Sequence, residues 1–165
     1  MRWGLIPSWA KDKNSPQINA RADTVAEKPM FRSAFKKRRC LVLADGYYEW
    51  KTIGKQKHPH YFRLKNDEPF TFAGIWETWR SDDETLETCA IITTDANEVA
   101  KAVHNRMPVT LTGDEALAWL DMAVEDSGKL LRPFESNKMI CYEVDPMVGN
   151  VRNNSPDCFK PVEVA

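Results

Sequence analysis

Three polar side chains in this sequence are of types that can do chemistry together: Asn19 in Asn19-Ala20-Arg21, Glu49 in Asp45-Gly46-Tyr47-Tyr48-Glu49-Trp50, and His104 in His104-Asn105-Arg106-Met107-Pro108. An amide, a carboxyl set among aromatics and an imidazole are components of general acid–base catalysis. They lie so far apart in sequence that only folding can bring them together. No cysteine or serine stands beside them as an activated nucleophile.

Each also has an ordinary reading. Tyr47 to Lys51 reads as a strand, whose alternation sends Tyr47 and Glu49 to one face and Tyr48 and Trp50 to the other. Beside aromatic neighbours Glu49 loses part of its water, which raises a carboxyl pKa and lets the group hold and pass on a proton near neutrality. The alternative is a glutamate ion-paired at a sheet edge. His104 titrates in the useful range, and the Asn105-Arg106 pair can bind an anion or orient its ring; the alternative is a polar residue closing a helix. Asn19 and Arg21, at alternate positions, can face the same way to hold a phosphate or carbonyl, or they stabilise their loop.

Two further clusters have weaker claims. Arg32, Lys36, Lys37, Arg38 and Arg39 can contact phosphates, and Trp3, Trp9, Trp76 and Trp79 offer faces for base stacking. A solvated helix face and core tryptophans account for the same residues. His58-Pro59-His60 has a proline spacer and no nearby cysteine or acidic ligands, so it reads as an exposed strand entry, with no metal site and no cofactor expected.

These residues need elements to hold them, and the pattern is α+β: a curved, barrel-like, mostly antiparallel sheet with a few flanking helices. Strands are expected at Trp3 to Pro7, Cys40 to Ala44, Tyr47 to Lys51, His60 to Leu64, Phe70 to Trp76, Thr88 to Thr93, Pro108 to Leu111 and Met139 to Val144. Ser8 to Ile18 is polar and turn-rich, a loop. Met30, Phe31, Ala34 and Phe35 recur at helical spacing with a basic end. Asp95 three residues before Glu98, and Thr112 three before Glu115, predict two capping boxes. The first helix then buries Val99, Ala102 and Val103, and the second some combination of Leu117, Trp119, Leu120 and Val124. The tail from Pro146 is mostly irregular.

At 165 residues, 42% hydrophobic and 28% charged, the chain suits one globular domain, 1–165. Its net charge of -1 gives no whole-molecule pull toward nucleic acid or membrane, so such affinity needs a local patch. The sequence offers neither a span of eighteen apolar residues nor a secretory signal, and the expected location is cytoplasmic without membrane association. Cys40, Cys89, Cys141 and Cys158 are widely spaced with no Cys-x-x-Cys, and read as buried free thiols.

Taken in order, Trp3-Gly4-Leu5-Ile6-Pro7-Ser8-Trp9, Asn19-Ala20-Arg21-Ala22-Asp23-Thr24, Arg39-Cys40-Leu41-Val42 through Asp45-Gly46-Tyr47-Tyr48-Glu49-Trp50, and His104-Asn105-Arg106-Met107-Pro108 resemble the SOS response-associated peptidase (SRAP) family. Gly149-Asn150-Val151-Arg152-Asn153-Asn154 is similar to the family's closing segment. The resemblance implies a protein that recognises abasic sites in single-stranded DNA. It implies a covalent thiazolidine link to the open-chain sugar aldehyde through an N-terminal cysteine uncovered by the protein's own peptidase activity. By motif, Asn19 positions the sugar or terminal amine, Glu49 shuttles protons and His104 assists ring opening or reversal. Arg21 and Arg106 grip flanking phosphates, and Trp9 and Trp50 pack against DNA or the pocket wall.

The departure is at the start, where position 2 is Arg2 and the Trp3-Gly4 motif opens the chain. The expectation is therefore a partial domain lacking the segment with the nucleophile: a fragment, a mis-started form or a variant without the crosslinking step. Two other functions stand beside it, a single-stranded DNA binder that makes no crosslink, and a structural or interaction module that binds no DNA.

Overall fold

A computed structural model describes residues 1–123 and 126–162. The elements are β1 (Arg2–Trp3), β2 (Asn19–Arg21), α1 (Arg32–Lys37), β3 (Arg39–Ala44), β4 (Tyr47–Ile53), β5 (Gln56–Leu64), β6 (Phe70–Arg80), β7 (Thr85–Asp95), α2 (Glu98–Lys101), β8 (Arg106–Pro108), β9 (Thr110–Leu111), α3 (Asp114–Leu120) and β10 (Met139–Glu143), with short 3-10 turns between and after them. They fall into two compact units. One comprises Met1–Leu43, Phe70–Asp95 and Pro108–Phe134; the other comprises Ala44–Pro69, Ala96–Met107 and the chain from Glu135 onward.

The first unit is built on the antiparallel pair β6 and β7, in register from Gly74 opposite Ile91 to Arg80 opposite Thr85. Phe72-Ala73-Gly74-Ile75 and Cys89-Ala90-Ile91-Ile92 are buried without alternation, as in strands covered on both faces. β1 and β2 both run parallel to β7, with Trp3 opposite Cys89 and Asn19 opposite Ile91. β3 and β9 pair with β6. A Cβ at Gly74 would come within 2.8 Å of the Cys40 sulfur, so glycine lets β3 approach. Leu5, Phe31, Ile75, Ile92, Val109 and Trp119 belong to one buried apolar cluster. The Trp119 indole donates to the carbonyls of Cys40 at 2.9 Å and Gly74 at 3.3 Å, tying α3 to the sheet.

The second unit holds an antiparallel three-stranded sheet in the order β10-β5-β4. β4 and β5 form a hairpin whose turn, Gly54-Lys55, starts with Gly54 at φ +62°, the left-handed region glycine tolerates. On one face Tyr61 packs against Tyr48, Tyr142 and Phe159, with ring centroids 5.0, 5.9 and 5.9 Å away. Gly46 lies under the tip of Tyr61, where a Cβ would fall 2.2 Å from the ring.

The α+β class and the mostly antiparallel pairing are as expected, but the strands divide between two sheets rather than closing into one barrel. The expected first strand is only β1; Gly4 at φ +115° breaks it, and Leu5 bridges back to Gln17. Neither capping box forms. Asp95 is the last residue of β7, so its backbone is committed to the strand, and Asn97 caps α2 by accepting from the Ala100 N–H at 2.9 Å. Gly113 takes the α3 cap position without a side-chain bond. With only four residues α2 buries Ala100, and Ala102 is exposed. Along α3 Trp119 is buried while Leu117 and Leu120 face water; Val124 lies outside the described residues.

Candidate functional site

In the second unit β4 holds Glu49 half-buried, on the same strand face as Tyr47. Burial pushes its carboxyl above the ordinary range, while the charge of His104 and a hydrogen bond from the Trp50 backbone N–H pull the other way. The net direction is upward, so Glu49 keeps its proton to higher pH than a free glutamate. β4 is the edge strand of its sheet, but among the described residues Glu49 forms no ion pair with a lysine or arginine.

His104 follows α2 and is exposed; its N–H donates to the Ala100 carbonyl at 2.9 Å, which is the helix-closing role read as the alternative. Its ring does more. Nδ1 lies 3.2 Å from the Arg106 N–H and 3.2 Å from the Arg106 carbonyl oxygen. A neutral ring with its proton on Nε2 accepts from the N–H, and a ring protonated at Nδ1 donates to the carbonyl. His104 Nδ1 thus has a backbone partner whichever tautomer the ring adopts.

The sheet register adds residues that the sequence reading left out. His60 stands opposite Glu49 on β5, and Glu143 stands opposite His60 on β10, so the three share one face. His58 Nδ1 contacts Glu143 Oε1 at 2.7 Å, and His60 Nδ1 donates to the His58 carbonyl at 3.0 Å. The His58-Pro59-His60 segment is therefore part of the strand interior, not an exposed entry, because β5 begins at Gln56. Alternation within each strand was legible, but only register aligns the three strands.

The other candidates belong to the first unit, except Trp50 and Arg106. Asn19 and Arg21 are exposed at the two ends of β2 around buried Ala20, so they lie on a strand rather than in the loop before it. Arg21 grips Asp23 through two bonds, Nε to Oδ1 at 3.1 Å and Nη2 to Oδ2 at 2.6 Å, and that carboxylate raises its pKa. Any phosphate has to compete with Asp23. Trp9 is 64% exposed and Trp50 38%, whereas Trp79 is buried with its indole donating to the Ala10 carbonyl. Arg106 opens β8 and is half-buried.

Arg38 and Arg39 leave the basic cluster. Arg38 bonds Glu77 at 2.6 Å and Ser33 at 3.1 Å. Arg39 is buried, donates to the Asp121 carbonyl at 2.6 Å and lies over the Trp119 ring at 5.3 Å, and its burial lowers its pKa. They hold the fold. The four cysteines are free thiols, and burial pushes Cys40 up to about 12 and Cys141 up to about 11. Such thiols stay protonated and are poor nucleophiles at neutral pH.

Residues 1–151 match the family described as SOS response associated peptidase (SRAP). The chain belongs to the SRAP family. It is 43% identical over 167 residues to abasic site processing protein YoqW of Bacillus subtilis, a match covering 97% of this chain and 75% of the relative. Against abasic site processing protein HMCES of Gallus gallus the identity is 37% over 194 residues, covering 99% of this chain and 57% of the relative. A solved crystal structure of a protein from Bacteroides thetaiotaomicron superposes with TM-score 0.90 at 35% identity, covering 98% of this chain and 75% of that one. Glu49 and His104 thus sit in a SRAP chain whose fold extends over nearly its whole length. No helix among the described residues is long and apolar enough to cross a membrane.

Proposed function

We propose that this chain recognises abasic sites in single-stranded DNA and handles protons for chemistry on the exposed sugar aldehyde. The observation that carries this reading is a carboxyl whose pKa burial raises, acted on by the charge of a histidine whose ring is held against the Arg106 backbone, in a family whose relatives are named for abasic site processing. Asn19 orients the sugar, Arg21 and Arg106 hold flanking phosphates, and Trp9 and Trp50 lie against bases or the sugar.

In the covalent reaction that the SRAP resemblance implies, the amine of an N-terminal cysteine adds to the aldehyde carbon to give a carbinolamine. Protonation of the hydroxyl releases water and leaves an iminium; the thiol sulfur then adds to its carbon, the C=N electron pair returns to nitrogen and the thiazolidine closes, the thiol proton passing to the carboxylate. Glu49 supplies the proton for the departing hydroxyl and recovers one as the thiol adds, while His104 protonates the sugar ring oxygen as the aldehyde opens. Arg2 provides no thiol at position 2, and none of the four internal cysteines pairs a thiol with an α-amine. The same N-terminal cysteine is the one its autopeptidase step uncovers.

The deciding experiment incubates the chain, alone and carrying the family's N-terminal cysteine segment, with single-stranded DNA holding one abasic site. The expected result is preferential binding by both proteins and a denaturation-resistant band from the extended one only. A band from both would overturn the requirement for a joined amine and thiol. Equal binding to intact and abasic strands by both would overturn the abasic-site reading and leave a general DNA binder, and no binding at all would leave an interaction module.

A further inference from the structure

We propose that the β4–β5 hairpin is a contact surface for the sugar-phosphate backbone and bases of the single strand flanking the abasic site, an inference that rests on the DNA reading above. Between Glu49 and Asp67 the sequence carries Lys51, Lys55, Lys57, Arg63 and Lys65 and no acid, although the whole chain has a net charge of -1. The hairpin concentrates three of these cations. Lys51 stands opposite His58, Lys57 opposite Thr52, and Lys55 occupies the turn, so positive charge lies on both faces of the ribbon and at its tip.

Several cations elsewhere are answered by acids, Lys13 by Glu84, Arg21 by Asp23, Arg132 by Glu115, Lys138 by Glu135 and Lys160 by Asp157, and at the far end of β5 Arg63 is held by Asp67. Among the described residues, Lys51, Lys55 and Lys57 form no ion pair with a carboxylate, and Lys55 and Lys57 are exposed. The acids on the Lys51 face are Glu49, two residues back along β4, and Glu143, which is engaged by His58. Unpaired cations at the exposed end of a hairpin are placed to replace the counterions of a polyanion.

The hairpin also exposes apolar surface beside that charge. Ile53 is 53% exposed and Trp50 38%. Cations interleaved with an exposed indole suit a single strand, whose unstacked bases can lie on the ring, better than a duplex, whose bases are already stacked. The geometry also links this surface to the acid–base pair. Four residues of extended chain, ~13 Å at ~3.3 Å per residue, separate Glu49 from Ile53, so a strand held with its lesion at Glu49 passes along the hairpin within a few nucleotides.

The test is fluorescence anisotropy of the full chain with a single-stranded oligonucleotide bearing one abasic site, over a range of salt concentrations. Lys55→Gln/Lys57→Gln should lower the slope of log affinity against log salt by about 1.4, at ~0.7 per phosphate contact on a single strand. Lys138→Gln, whose lysine is paired to Glu135, should leave it unchanged. Parent and double variant should converge on an oligonucleotide cut back to about one nucleotide on each side of the lesion. Thermal melts establish that the variants are folded. If the parent prefers the abasic strand but the double variant keeps its slope, the hairpin assignment is overturned and the abasic-site reading stands. If the parent shows no such preference, that reading falls and the hairpin with it. A loss seen only when the flank is double-stranded would overturn the single-strand assignment.

Discussion

In the first unit, charged side chains that leave water are held by partners within the fold: Arg38 by Glu77 at 2.6 Å, and Arg39 by the Asp121 carbonyl at 2.6 Å, over the Trp119 ring, which belongs to a cluster of buried apolar residues. In the second unit Glu49, His58, His60 and Glu143 share one face of a three-stranded sheet at intermediate exposure. The first region holds its buried cations on partners within the fold, whereas the second leaves a carboxyl with a raised pKa half in water, and the proposed proton chemistry rests on that difference.

That division can be broken most forcefully at Trp119. Trp119→Ala removes a fully buried ring and two indole hydrogen bonds, and should cost about 3–5 kcal/mol in urea unfolding. A loss below about 1 kcal/mol would deny the first unit its structural role. Glu49→Gln should do the reverse, slowing abasic-site crosslinking by the version with the N-terminal cysteine segment by at least ~100-fold, about 3 kcal/mol of barrier, without lowering the melting temperature.

The same substitution has a pH signature. The folded-state pKa of Glu49 is raised above its unfolded value, so the stability it contributes is present below the ordinary glutamate range and is lost as pH rises through the raised value. Glu49→Gln should therefore stabilise the protein relative to the parent at pH 7–8 and lose that advantage near pH 4. Melting curves across this range check the sign.

Gly46→Ala tests whether the second unit also has a rigid side. The added methyl would meet the Tyr61 ring at 2.2 Å and should cost about 1–3 kcal/mol, with the phenol displaced in the near-ultraviolet circular dichroism. The smallest effect is expected at Lys13–Glu84, an exposed pair at 2.6 Å between the 8–18 loop and the end of the β6–β7 hairpin. Lys13→Gln should change stability by under about 1 kcal/mol and leave DNA binding as it is.

Much of the candidate site was legible because its signals are local. Tyr47 to Trp50 alternate, and that places Glu49 on a strand face whatever the strand pairs with. His104 follows a short polar-capped helix, although the cap is Asn97, two residues beyond the aspartate that the spacing suggested. Arg38 and Arg39 were not legible as structural residues. Nothing near them in sequence announces Glu77, Trp119 or Asp121, and a run of basic residues reads as a solvated face until those partners arrive. Asn19 was read as following a loop because its strand exists only through pairing with β7.

From sequence alone came the α+β class, most strand positions, the acid–base residue types and the SRAP resemblance, since side-chain alternation, turn residues and motif order are properties of short stretches of chain. Only tertiary structure decided that Glu49 answers to His104, that His60 and Glu143 share its face, and which arginines are taken out of solvent. Charge interaction and desolvation depend on distance and burial in space, and residues far apart along the chain acquire both only when strands come into register.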